Sequence, residues 1–275
     1  MLARFRVTEL TPQRVLAAVT RRGRTLPHVW AWHASAWARR NRQRLRAFRD
    51  RHRGQRCFVL GNGPSLARMD LDRLQGEVTF GLNRIYLLFD QTRFRPTYYV
   101  AVNEWVLTQF AAEIRALPMP KFLNWTQRRL FGETEGTLFV HLALGLRDFF
   151  QTDITRAVSS GGTVTYVALQ LAYFMGCRQV VLIGVDHRFA DTGVPNQVEE
   201  RRAERDANHF HPQYFPKGVK WQLPDLLRSE QAYALARRVF KADGREIVDA
   251  TLDGACPVFR KVSWEALFAD RNGDG

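Results

Sequence analysis

Residues 57–66 read Cys-Phe-Val-Leu-Gly-Asn-Gly-Pro-Ser-Leu, a short apolar strand running straight into a glycine-rich turn. The pattern predicts a strand-to-helix turn that holds an anion. Gly61 and Gly63 can take positive φ and let backbone approach an anion closely. Pro64 suits the first turn of a helix, since its missing N–H is not needed there. Such a helix would aim its free N–H groups and positive dipole end at a phosphate. The turn therefore reads as a nucleotide site. The plainer alternative is a simple connecting turn with Asn83 as a cap.

A dinucleotide cofactor is disfavoured. Its fingerprint needs a third glycine, and an acidic residue about 20 positions on to hold a ribose. Here Leu66 stands in the glycine position, and the next strand, 78–83, ends at Asn83. An asparagine both donates and accepts, which suits a base or ribose edge.

Working outward, strands are expected near 57–60, 78–83, 97–103, 120–123, 137–141, 179–185 and 245–250. Helices are expected near 64–75, 104–116, 163–175 and 229–242. Apolar strands alternating with amphipathic helices predict an α/β fold: a Rossmann-like, doubly wound and mainly parallel sheet. A second glycine turn, Ser159-Ser160-Gly161-Gly162-Thr163, precedes the helix at 163–175, and Arg156 just upstream could neutralise a phosphate. Capping of that helix by a hydroxyl is the alternative reading of the turn. The strand at 179–185 runs into Asp186 and His187, which places ionisable groups at the edge where open α/β sheets bind ligands. Asp186 could bind ribose, orient a hydroxyl, hold a metal or cap the next turn.

Residues 187–228 lack clear periodicity and read as a lid. The lid carries His209 and His211 and the aromatic Tyr214, which is placed with the nucleotide contacts. The two histidines could share a metal, but no third ligand is evident, so no metal site is assigned.

The chain has 275 residues, 45% of them hydrophobic, enough for one sizeable core. Its net charge of +14 is concentrated: residues 1–56 hold 15 arginines against Glu9 and Asp50, and the rest is nearly neutral. Trp30, Trp32 and Trp37 precede a dense run of arginines from Arg39 to Arg53. A helix lying on anionic lipid, a helix packing its tryptophans inward, and a nucleic-acid arm all fit that pattern, the last least well. Residues 1–53 are accordingly read as a basic helical N-terminal extension and 54–275 as the catalytic domain, with the lid at 187–228. Three dispersed cysteines and no apolar run of ~20 residues predict a cytoplasmic protein, peripheral on the inner face of the membrane if the basic segment binds lipid. No signal peptide is evident.

Gly-Asn-Gly-Pro-Ser-Leu at 61–66, Gly-Leu-Asn-Arg-Ile-Tyr at 81–86, Ser-Ser-Gly-Gly-Thr at 159–163 and Leu-Ile-Gly-Val-Asp at 182–186 together resemble two related groups. One is the bacterial sialyltransferases of glycosyltransferase family 42. The other is the MptE-like group of motility accessory proteins and 6-hydroxymethylpterin diphosphokinases. The likeness runs over roughly residues 54–251. The first resemblance implies that Asn62, Ser65, Asn83, Ser160 and Gly161 bind a CMP-sugar without a catalytic metal. It also implies a histidine base late in the lid, just before the last long helix. This chain has Leu223-Pro224-Asp225-Leu226 there instead, so His209 and His211 become the leading bases, with His187 and Asp186 behind them. The second resemblance implies a nucleoside triphosphate with magnesium, for which Asp186 is the ligand candidate.

The resulting expectation is a glycosyltransferase that moves a CMP-activated acidic, nonulosonate-like sugar to a surface glycan, lipid-linked or protein acceptor. No cofactor is required beyond the co-substrate. The alternatives are diphosphate transfer from ATP to a pterin-like alcohol, or a nucleotide-binding module without catalysis.

Overall fold

The computed structural model describes residue 23 and residues 25–145, 147–191 and 193–272. Eight strands form one parallel sheet: β1 Arg56–Leu60, β2 Val78–Leu82, β3 Tyr98–Ala101, β4 Lys121–Asn124, β5 Thr137–Val140, β6 Gln179–Ile183, with β9 Glu246–Asp249 and β10 Arg260–Lys261. Their order is β10-β9-β6-β1-β2-β3-β4-β5. Both faces are covered, so the central strands are continuous apolar runs: Phe58, Leu60, Phe80, Leu82, Phe122 and Phe139 are all fully buried. The doubly wound expectation holds. The chain steps from β1 outward to β5, then returns to β6 on the other side of β1. That reversal opens a crevice beyond the C-terminal ends of β1 and β6.

Two more strands, β7 Val198–Glu200 and β8 Lys220–Gln222, pair antiparallel inside the segment read as a lid. The main helices are α1 Ala36–Arg46, α2 Glu104–Gln109, α3 Val164–Phe174 and α4 Leu226–Ala242.

Two helix expectations are corrected. The helix expected at 64–75 is instead a pair of 3-10 turns, Pro64–Arg68 and Leu71–Leu74. Asp70 interrupts it: its side chain accepts from the Asp72 N–H at 3.1 Å, a local bond that competes with helical continuation. The expected helix at 104–116 breaks at Phe110 into α2 and a short helix at Ala111–Ala116.

Of the N-terminal segment, residues 1–22 and 24 lie outside the described residues. Helical residues 25–34 and α1 pack on the sheet's β5 flank. Asn41, buried at 1% exposure, donates to Phe139 O at 2.8 Å and accepts from Phe139 N at 2.9 Å, pairing with the open edge of β5 as another strand would. Trp32 is buried among Trp125 and His141, and Trp37 packs edge-on against Trp125 and Phe139. Only Trp30, at 73% exposure, faces out. The arginines also disperse: Arg40 pairs with Glu133, Arg44 donates to Thr134 O and Glu135 O, and Arg49 pairs with Asp153. The tryptophans and arginines of this segment therefore do not form one amphipathic face. Among the described residues, no helix is long and apolar enough to cross a membrane.

Candidate active site

The first glycine turn is a clasp between strand ends. Gly61 N donates to Ile183 O and Gly63 N to Gly184 O, both at 2.8 Å. Neither Gly61 nor Gly63 uses the positive φ open to glycine. They are glycines because of close approach: a Cβ on Gly61 would overlap the Gly184 carbonyl, and one on Gly63 would overlap the Asp186 carboxylate. That carboxylate occupies the turn, accepting from Ser65 N at 3.0 Å and Ser65 Oγ at 2.7 Å. The anion at the mouth of the turn is thus the protein's own. Asp186 keeps spare lone pairs, and a magnesium ion bound here would have to use them.

The second turn follows the same logic with a cation added. Asp148 accepts from Ser159 Oγ at 2.6 Å and Gly161 N at 3.1 Å, and it pairs bidentately with Arg228 at 2.7 and 2.9 Å. Arg228 also reaches Ser160 Oγ at 3.2 Å. Hydrogen bonding from Arg228 holds the Asp148 carboxyl below the usual carboxylate range; burial opposes this, and Ser159 and Gly161 add to it. Thr163 then caps α3, so the helix N-terminus opens onto the cleft.

The cleft has two lobes. The first is lined by Asn62, Asn83, Asp186, His187 and the Gly162–Thr165 turn. The second lies between α2, β8 and the start of α4, with Asn103, Trp105, Ser160, Trp221, Gln222 and Arg228 on its walls. Asn83, Gly162, Thr163, Val164, Phe189, His209, Tyr214 and Pro224 belong to both lobes and form the seam.

At the seam His209 is held on two sides. Its Nδ1 lies 2.9 Å from Asp206 Oδ2, and its ring stacks on Tyr214 with centroids 3.9 Å apart and planes 6° from parallel. The Asp206 side chain is 1% exposed. Burial alone would raise its carboxyl, but hydrogen bonds and charge from His209, with help from the Asn208 N–H and Arg201, outweigh burial and hold it below the usual range. An ionised Asp206 fixes the imidazole with its proton on Nδ1, leaving the Nε2 lone pair for the cleft. Buried Arg84 anchors this part of the lid, donating to Gln213 O and Tyr214 O while its guanidinium sits 3.8 Å over the Phe110 ring. Phe210 N donates to Asn62 O at 3.0 Å, tying the lid to the first turn.

Asn62 and Asn83 each bury a side-chain oxygen that has no partner. An unmade bond of this kind costs roughly 1–3 kcal/mol, and a ligand bearing N–H or O–H groups would recover it.

The expected site residues therefore separate. Asn62, Asn83, Asp186, His187, His209 and Tyr214 share the first lobe with Gly61 and Gly63, and Ser160 lines the second. Ser65 and Gly161 sit behind, bonded to Asp186 and Asp148. His211 lines neither lobe, and its Nδ1 accepts from Gln213 N at 3.1 Å. His187 Nε2 faces Glu230 at 3.0 Å rather than Asp186. Arg156 is exposed and lines neither lobe. Asp225 caps α4. The sequence reading overlooked Asp206, Arg84, Asp148 and Arg228. The i,i+3 spacing of Asp206 and His209 was the available signal.

With this geometry in place, comparison with known proteins is informative. Residues 36–192 match the family described as 6-hydroxymethylpterin diphosphokinase MptE-like. The chain belongs to the MptE-like family. The matched span takes in α1, β1 to β6 and both glycine turns, and stops before His209. No curated protein matches the chain. Among solved structures, a MAf glycosyltransferase from Magnetospirillum magneticum AMB-1 is similar over 81% of this chain at 16% identity and a TM-score of 0.49. This chain spans only 38% of that protein's length.

Proposed function

We propose that this MptE-like protein transfers an acidic sugar from a CMP-activated donor to an acceptor hydroxyl. The observation that supports this most directly is the Asp206–His209 pair at the seam of a two-lobed cleft. The first lobe takes the nucleotide, whose amine and ribose hydroxyls donate to the open oxygens of Asn62 and Asn83. The second lobe takes the acceptor. His209 Nε2 removes the acceptor proton as its oxygen bonds to the anomeric carbon, and the glycosyl–phosphate bond breaks with its electron pair going to CMP. The N-terminus of α3, at Gly162, Thr163 and Val164, stabilises the departing phosphate, with Arg228 beside it.

A second reading comes from the family's own description: diphosphate transfer from ATP to a pterin-like alcohol. There the same base would take the proton of the alcohol as its oxygen bonds to the β-phosphorus and AMP leaves, and Asp186 would be the residue to hold the magnesium that screens the phosphates.

Calorimetry with CMP and with ATP plus magnesium separates the two. Tighter CMP binding, weakened by about 1–3 kcal/mol in Asn83→Ala, supports sugar transfer. Tighter ATP–magnesium binding with AMP release on adding the alcohol transfers the assignment to the second reading. His209→Ala should lower turnover by about 10²–10⁴ while nucleotide affinity survives. Unchanged turnover would remove His209 from the mechanism.

A further inference from the structure

The exposed large apolar side chains among the described residues are Leu26, Trp30, Leu144, Phe149, Val194, Val198 and Leu227. All belong to segments at the C-terminal edge of the sheet, and none to the opposite edge. Scattered single exposures are ordinary, but a connected set marks a contact surface.

The structure connects them around the mouth of the second lobe. Leu26 and Trp30 sit on the helix fastened at that edge by the bond from Trp125 Nε1 to His28 O, 2.9 Å. Asn103, on the lobe wall, donates to Gln222 at 3.0 Å, and Gln222 pairs in register with Val198. Asn196, two residues from both Val194 and Val198, donates to Asp225 at 3.0 Å, and Asp225 leads directly to Leu227. Arg228 pairs with Asp148, the neighbour of Phe149. Leu144 lies two residues beyond Leu142 of the lobe wall, and His141 stacks on Trp32 to close the circle.

We propose that this apolar rim seats on an anionic lipid surface. The chain that enters the rim at Leu26 argues for lipid over a protein partner. Residues 1–24 carry Arg4, Arg6, Arg14, Arg21, Arg22 and Arg24 against Glu9 alone, interleaved with Phe5, Val7, Leu10 and Leu16. Arginine with apolar residues beside an exposed tryptophan is the chemistry of a charged bilayer interface. Seated this way, the second lobe opens onto the membrane and its acceptor hydroxyl belongs to a membrane-borne molecule. That last step rests on the transfer reading above; the docking does not.

Flotation of the full chain with vesicles of equal parts phosphatidylglycerol and phosphatidylcholine tests the docking. Trp30→Asp with Leu227→Asp should reduce vesicle binding at least about tenfold, the loss of two inserted apolar side chains. Gln91→Asp, an exposed position at the opposite edge, should bind as the parent does. Rim variants that bind like the parent, or a parent that does not float with these vesicles, would overturn the proposal. CMP calorimetry without vesicles reads the transfer assignment separately. A water-soluble acceptor turned over equally with and without vesicles would overturn the membrane-borne acceptor while leaving docking intact.

Discussion

The turn after β1 and the turn before α3 look alike in sequence, and each receives a carboxylate from elsewhere in the chain. In the first, the Asp186 carboxylate binds Ser65 alone, and the two glycines before that serine are pressed against Gly184 and Asp186, just beyond β6. In the second, Asp148 binds Ser159 and Gly161 but also Arg228, and an 11-residue helix follows. The first turn's donors are used to hold two strands together at the switch point. The second turn spends its donors on a carboxylate that positions a cation, and its helix N-terminus still faces the cleft. Glycine and hydroxyl content alone does not distinguish a clasp from an anion site. The difference lies in which donors are left over.

The steepest contrast is in stability. Gly61→Ala places a methyl on the Gly184 backbone carbonyl, which cannot move without parting β1 from β6. It should cost about 3 kcal/mol, as overpacking against rigid neighbours does. Gly162→Ala meets the Arg228 and Ser229 side chains at 3.4–3.6 Å, ordinary contacts, and its φ of +77° adds strain. It should cost about 1 kcal/mol. Denaturant midpoints check both, and equal costs would mean the first turn is not the more tightly clasped.

The next contrast is in binding. Arg228→Gln should weaken nucleotide-donor affinity by about 1.5–3 kcal/mol, the usual worth of a hydrogen bond to a charged group. Ser65→Ala removes one bond to Asp186 at 1% exposure and should lower stability by about 1 kcal/mol, with donor affinity nearly unchanged. Calorimetry beside thermal melts reads the two outcomes independently. If Ser65→Ala weakens donor binding as much as Arg228→Gln does, the first turn binds the donor after all.

The sheet was legible because its strands are apolar runs separated by helical patterns, and a parallel sheet buried on both faces leaves that trace. The crevice followed from the same trace. The helix at 64–75 was misread because Asp70, which looks like any surface acid, makes a local bond that stops it. The inward packing of Trp32 and Trp37 was one of three readings the pattern allowed, and the arginine neighbours kept the sequence from choosing it. His209 was within reach as one of the lid's histidines. Its partner was signalled only by i,i+3 spacing, since Asp206 is one of many lid charges and the fold shows which of them are buried. Arg228 reads as an ordinary helix-face cation until Asp148, 80 positions earlier, is brought against it.

The smallest contrast is in acid. Arg228 is the leading cause that holds Asp148 below the usual carboxylate range, while burial pushes the other way. Because the folded value lies below the unfolded one, Asp148 contributes stability that is fully present above the unfolded value, near 3.9. That contribution is lost as pH falls through the folded value. Arg228→Gln removes the leading cause and leaves burial, so the folded value rises and the loss begins at higher pH. Both groups are partly exposed, 37% and 18%, so screening keeps the effect small, roughly a few tenths of a pH unit in the acid-unfolding midpoint. The direction carries the test. Following the midpoint by circular dichroism in the parent and in Arg228→Gln should show the variant unfolding at the higher pH. A midpoint that stays put or moves down would mean that Arg228 does not hold the Asp148 charge, and the two turns would then differ only in the helix that follows the second.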